Sequence, residues 1–233
     1  MTIAIMQPYL FPFIGYWQLI QAVDTFVVYD NIQFTKKGWF RHNNILLNGK
    51  KTLFSIPLKK DSDYLDVVDR MLSEDSDRQI KKIIARIEGS YRHAPYFNDA
   101  FPLIKDILGS TEKNLFYYIY NSIQVINEYL GIKTKIILSS TLETDEQLKA
   151  DERVIAINKI LHTDHYINAI GGLRFYEKDK FLAEGISLNF LNPEIVEYKQ
   201  FDNEFVSYLS IIDIMMFNSK YQIKEMLGKY TLI

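Results

Sequence analysis

The sequence predicts an α/β fold: a Rossmann-like, mostly parallel sheet with a small antiparallel hairpin and a central helical insertion. Apolar runs of strand length alternate with segments of helical periodicity at the start of the chain and again after residue 133. The first two such runs are separated by a stretch long enough for a helix, which in one sheet makes a parallel βαβ unit. The middle, about residues 61–133, carries helical patterns only.

The elements follow in order. Residues 3–6 (IAIM) form a strand that Gln7-Pro8-Tyr9 ends. Pro12 suits the first turn of a helix running to Val23, because that turn tolerates a missing N–H. Within it Phe13, Trp17 and Ile20 recur at helical spacing. Thr25–Tyr29 (TFVVY) is β-branched and aromatic, a strand. Asn44–Leu47 and Thr52–Pro57 read as a hairpin joined by Asn48-Gly49, a strong short-range turn signal. Helices are predicted over Ser76–Glu88, Pro95–Leu108 and Lys113–Leu130, the last stopped by Gly131. Thr134–Leu138, His165–Asn168 and Ser187–Leu191 read as strands, with helices at Glu146–Leu161 and Phe175–Ala183 between them and another at about Ser210–Leu227. No linker or repeat divides the chain, so residues 1–233 are expected to form one α/β domain carrying the insertion.

Composition narrows the function. A chain of 233 residues that is 48% hydrophobic and 24% charged has ample core and is not a disordered segment. With 27 basic and 29 acidic residues, the net charge of -2 gives no global pull on nucleic acid or anionic lipid, so phosphate binding must be local. The absence of cysteine removes disulfides and thiolate chemistry and points to the cytoplasm. Gln7, Pro8 and Pro12 interrupt the first apolar stretch, which reads as neither signal peptide nor membrane span. The 16 tyrosines, 15 phenylalanines and two tryptophans are concentrated early, ten of them within the first 40 residues.

Four segments carry candidate chemistry. In the loop Gln7–Tyr16, between a strand end and its helix, free N–H groups favour a phosphate or carboxylate, Gln7 offers an amide and Gly15 allows close approach; its rings otherwise serve the core. Asp30, Gln33, Lys36, Lys37, Trp39, Arg41 and Asn43 follow the second strand and offer an acid, amides, cations and an indole for a polar ligand, or else an ordinary solvated turn. Residues 164–174 run from a strand into Gly171-Gly172, where Asn168 and Arg174 suit an anion, Gly-Gly alone is a weak signal, and His165 is either a general base or a packed residue. Ser210 and Asp213 read as a capping box or as a phosphate-binding helix start. His42, His93 and His162 have no metal-ligand spacing, and no residue pattern names a cofactor.

MQPYLFPFIGYWQLIQAVDTFVVYDNIQFTKKGWFRHN, with DHYINAIGGLRFY and LSIIDIMMFN downstream, resembles the WbqC-like protein family over Ile3 to about Asn218. The family is associated with O-antigen and other surface-polysaccharide gene clusters. The resemblance therefore implies a transferase that moves an aminoacyl or acyl group to a nucleotide-linked amino sugar. Its partners would be a small-molecule nucleotide or nucleotide sugar and an acyl carrier, with no nucleic acid or membrane.

The order of strand, loop, helix and strand, with Asn31-Ile32-Gln33-Phe34, is more distantly similar to the nucleotidylyltransferase superfamily and its pantothenate synthetases. There a His-x-Gly-His signature contacts phosphates. Here Phe13-Ile14-Gly15-Tyr16 stands in its place and both histidines are missing. Phe13 donates no hydrogen bond and neutral Tyr16 supplies no charge, so the alternative is an inactive nucleotide-sugar-binding protein on that scaffold, or an assembly partner in glycan synthesis. For the enzyme, Asp30 or His165 is the expected proton acceptor and Arg41, Arg174 and Ser210 hold anions. Tyr9, Tyr16 and Trp39 are the rings expected to wall the ligand.

Overall fold

The computed structural model describes residues 1–145, 147–148 and 150–233. Five parallel strands build the main sheet: β1 (Thr2–Met6), β2 (Thr25–Val28), β5 (Lys135–Leu138), β6 (His165–Ala169) and β7 (Ser187–Pro193). The short β8 (Tyr230–Leu232) adds antiparallel to β7 at one edge. The order is β5-β2-β1-β6-β7-β8, so the chain winds outward from β1 to one side and then returns to wind to the other. β3 (His42–Leu47) and β4 (Lys50–Ser55) form a separate hairpin. Its turn residues Asn48 and Gly49 both have positive φ, 52° and 70°, as a two-residue turn matched to strand twist requires.

The alternation of side chains along the central strands explains the layering. Ala4, Phe26 and Val28 point into the larger core, while Ile3, Ile5 and Val27 point into a second core on the opposite face. α1 (Ile14–Gln21) packs on the first face and inserts Trp17, Leu19 and Ile20, all fully buried. α2 (Ser76–Tyr91), α3 (Phe97–Leu108) and α4 (Leu115–Leu130) extend that core. α5 (Ala150–Ile160) and α6 (Lys178–Leu182) cover the second face with Val154, Ile157 and Phe181. Helices on both faces are what a parallel sheet, apolar on both sides, needs.

Three expectations are corrected. The helix expected over Ser210–Leu227 is two, α7 (Ile211–Phe217) and α8 (Lys220–Leu227). Asn218 is extended, and Ser219 opens α8 with a reciprocal capping box to Gln222 that competes with continuing the first helix. The helix expected at Phe175–Ala183 shortens to α6, because residues 170–174 form a tight 3-10 turn after β6. Ser210 caps α7 through the N–H of Ile212, but Asp213 does not close a box with it. The Asp213 carboxylate instead accepts hydrogen bonds from Tyr91 (2.8 Å), Tyr198 (2.6 Å) and Gln200 (2.6 Å) in the core. The predicted start of α5, Glu146, lies outside the described residues.

Candidate functional site

Where an open α/β sheet reverses its winding, the two flanking connections leave toward opposite faces and a crevice opens at the carboxyl ends of the strands. Here the reversal falls between β1 and β6, and a cavity of about 650 Å³ lies there. Gln7 and Tyr9 follow β1, Tyr29, Asn31 and Gln33 follow β2, and Asn168, Gly171 and Gly172 end β6. Ala150 and Val154 of α5, with Phe175 and Tyr176, complete the wall.

No Asp, Glu, Lys, Arg or His lines this crevice among the described residues. Burial holds the phenols of Tyr9, Tyr29 and Tyr176 above the ordinary tyrosine value, so all three stay neutral at physiological pH. The walls therefore combine aromatic rings with amide dipoles, a surface suited to a flat or hydroxylated neutral group. The dipoles are fixed: the Tyr9 hydroxyl donates to Gln7 Oε1 at 3.2 Å, Gln33 Nε2 donates to the Asp63 carbonyl at 3.0 Å, and Asn168 Nδ2 donates to the Tyr166 hydroxyl at 2.9 Å. Gly172 is required beside Asn168, since a Cβ there would lie 2.9 Å from the Asn168 Cγ.

A second cavity of about 220 Å³ is lined by Pro12, Phe13, Trp39, Asn43, Asn44, Lys51 and Tyr208, and Tyr9 lines both. Trp39 and Tyr208 are 43% and 57% exposed, and Tyr208 holds a positive φ of 56° that side chains rarely adopt. Lys51 Nζ lies 5.8 Å from the centre of its ring.

Of the residues singled out from sequence, Gln7, Tyr9, Gln33, Asn168, Gly171 and Gly172 meet at the crevice, and Trp39 and Asn43 at the smaller cavity. The others lie elsewhere. Asp30 is 3% exposed and turned toward the end of β5, where its carboxylate accepts from Ser139 Oγ, Ser140 N and Ser140 Oγ at 2.8, 2.9 and 2.5 Å. His165 opens β6 and so stands at the amino end of the sheet, on the far rim from the crevice. Tyr16 is buried, its hydroxyl donating to the Gln7 carbonyl. Gly15 is closed in by the Phe13 ring and Pro193, which a Cβ would approach to 2.6 and 2.7 Å. Arg41 donates to the Ile56 carbonyl, Arg174 is exposed, and Ser210 and Asp213 are buried around α7.

Sequence reasoning missed Arg153, Asp66 and Tyr29. Arg153 sits in the first turn of α5 at 9% exposure, its guanidinium carbon 5.0 Å from the centre of the Tyr29 ring. Burial raises the Asp66 carboxyl above its ordinary value, the neighbouring Asp69 and Asp30 carboxylates add to this, and Arg153 opposes it. Within LKADERV, Arg153 reads as one more charge on a solvated helix start, and the sequence carries no signal that it is buried.

The model of the WbqC-like protein family matches residues 7–225. An uncharacterized protein of Mycobacterium tuberculosis, Rv1507c, is 24% identical over 215 residues, covering 91% of this chain and 92% of its own. No solved structure matches significantly.

Proposed function

The chain belongs to the WbqC-like protein family, and from that premise we propose that it is a cytoplasmic transferase that places an acyl or aminoacyl group on a nucleotide-linked amino sugar during surface-polysaccharide assembly. One observation carries the reading: two cavities of different character share the Tyr9 wall on the carboxyl rim of the sheet. The larger, with amides and neutral rings, suits the nucleotide-linked sugar, and the smaller, with Pro12, Phe13, Trp39 and Tyr208, suits the acyl group. In the reaction the sugar amine attacks the acyl carbonyl carbon, a C–N bond forms, the bond from that carbon to the carrier breaks, and the amine proton ends on the departing carrier group. Holding both reactants against one ring supplies proximity, the largest contribution such a site can make without a charged catalyst.

A second reading is favoured by one specific feature. No carboxylate or imidazole lines the crevice among the described residues, and on the distant resemblance to the nucleotidylyltransferase superfamily Phe13 and Tyr16 would stand where that superfamily has histidines. On this reading the chain binds a nucleotide sugar without converting it. The parallel order of the five strands is that of a Rossmann-like scaffold, which serves either reading.

A thermal-shift screen of nucleotides, nucleotide sugars and acyl donors, followed by mass spectrometry of paired mixtures, tests both. A ligand at a hundred times its Kd adds about 2.7 kcal/mol of stability. Stabilisation by a donor and an acceptor with a product heavier by the acyl group supports the transferase. Stabilisation by a nucleotide sugar alone, with no product from any donor, supports the binding protein. No stabilisation by any member of the set refutes both.

A further inference from the structure

Arg153 is a cation that the fold leaves nine-tenths buried. Its Nε is buried with no hydrogen-bond partner, and among the described residues its guanidinium makes no ion pair. Burying an unpaired charge is among the most unfavourable arrangements a fold can contain, and the Tyr29 ring beneath it offsets only a small part. Arg70, buried at 4%, also has an unpartnered Nε and lies over a ring, that of Phe34, but its two terminal nitrogens donate to the Ser62 and Lys59 carbonyls and tie down a loop. Among the described residues the terminal nitrogens of Arg153 make no such bonds.

Its surroundings place it at the edge of the crevice. Tyr29, whose ring it covers, and Ala150 and Val154, on either side of it in α5, all line that cavity. The first turn of an eleven-residue helix carries the positive end of the helix dipole, with Asp151 and Glu152 also in that turn and the Glu152 N–H already donating to the Asp151 carboxylate. Ala150, at that turn, is held at a φ of 47°, a strained backbone of the kind that ligand sites retain. Of the acidic residues nearby among those described, Asp151 pairs with Lys180 at 2.6 Å, Glu152 is exposed, and Asp66, which feels the charge of Arg153, stays beyond ion-pair distance.

We propose that Arg153 and the first turn of α5 form an anion seat on the rim of the crevice, next to its lining residues Tyr29, Ala150 and Val154, and bind the diphosphate of the nucleotide-linked sugar. The anion seat follows from the buried charge itself, whereas the identity of the diphosphate rests on the function proposed above. A guanidinium is the group best shaped to hold phosphate oxygens in pairs.

The test uses the full chain, Arg153→Gln and Arg153→Lys, melted alone and with inorganic pyrophosphate, a set of nucleoside diphosphates and nucleotide sugars, and the corresponding nucleosides. Because no described residue forms an ion pair with Arg153 in the free protein, R153Q is expected to melt at or above the wild-type temperature. Pyrophosphate is expected to stabilise the wild type but not R153Q, with R153K between them, and diphosphate affinity to fall at least about tenfold in R153Q while nucleoside affinity is unchanged. An R153Q that melts lower than wild type and responds to pyrophosphate as wild type does makes Arg153 a structural residue and overturns the proposal, as does a wild type indifferent to every phosphate. If R153Q loses a pyrophosphate response but no nucleotide or nucleotide sugar binds more tightly than pyrophosphate, the anion seat stands and the nucleotide-sugar reading fails. If nucleotide sugars bind wild type and R153Q alike, that reading stands and the anion seat fails.

Discussion

Gly171 and Gly172 are adjacent in sequence, yet substitution by alanine should separate them sharply. Around Gly171 a new Cβ meets nothing within 4 Å, and the residue is exposed. Around Gly172 the same atom would lie 2.9, 3.0 and 3.1 Å from Cγ, Oδ1 and Nδ2 of Asn168. Asn168 is short, 6% exposed and bonded to the Tyr166 hydroxyl, so its amide has little room to retreat without breaking that bond. Overpacking of this kind costs about 1–3 kcal/mol. In a chain of this size that lowers Tm by roughly 2–12 °C. Gly171→Ala should stay within about 0.5 kcal/mol of wild type, or gain slightly through a less flexible unfolded chain. Urea denaturation of both variants, with calorimetric melting, measures the pair. Equal effects of the two substitutions, or a neutral Gly172→Ala, would show that the Asn168 amide is not fixed as the crevice geometry requires.

Two further substitutions address buried carboxylates. Asp30→Ala leaves Ser139 Oγ to Asn31 alone and the exposed Ser140 to water, so chemical denaturation should show a loss of about 1–3 kcal/mol; an Asp30→Ala protein as stable as wild type would free this carboxylate for a catalytic role. Asp213 is held above its ordinary 3.8, chiefly by burial and against the donors Tyr198, Tyr91 and Gln200, so the folded state takes up its proton more readily than the unfolded chain. The stability it contributes is therefore full below 3.8 and is lost as pH rises through the folded value. Relative to Asp213→Asn, wild type should be more stable near pH 4 than at pH 7, and a difference that does not change with pH in urea titrations would contradict this.

The sheet was legible because its signals are local. Thr25–Val28 and Lys135–Leu138 are β-branched runs, Asn48-Gly49 is a turn that few other pairs can make, and the βαβ order leaves little freedom in strand direction. Gln7 and Asn168 could be placed on one rim because each ends a strand, and strand ends in a parallel sheet face the same way. His165 was misjudged by the same logic, since four residues along a strand carry it to the opposite rim. Asp30 and Asp213 were beyond sequence reasoning because Ser139, Ser140 and Tyr91 lie more than a hundred residues from the carboxylates they serve, and Tyr198, 15 residues before Asp213, follows no helical or strand spacing from it. Capping at Ser219 was readable in principle, as Ser-x-x-Gln is a helix-start signature, but the apolar run before it concealed the break.

The distribution of charge around the crevice decides how an anionic ligand would be held. With a net charge of -2 the chain offers no long-range attraction, and at physiological salt the field of one guanidinium is screened within about 8 Å. Arg153 is thus felt only by a ligand already in the crevice. There, stripped of water beside Tyr29 and the start of α5, it acts at a lower effective dielectric, where one contact is worth several at the surface. The neutral amides and rings of the remaining wall cannot compete for the same anion, so under the proposed function their part would be to select the uncharged portion of the ligand by shape and hydrogen bonding. Binding built this way depends on desolvated contact rather than counterion release, which separates it from the steep salt dependence of proteins that bind phosphates through many exposed cations.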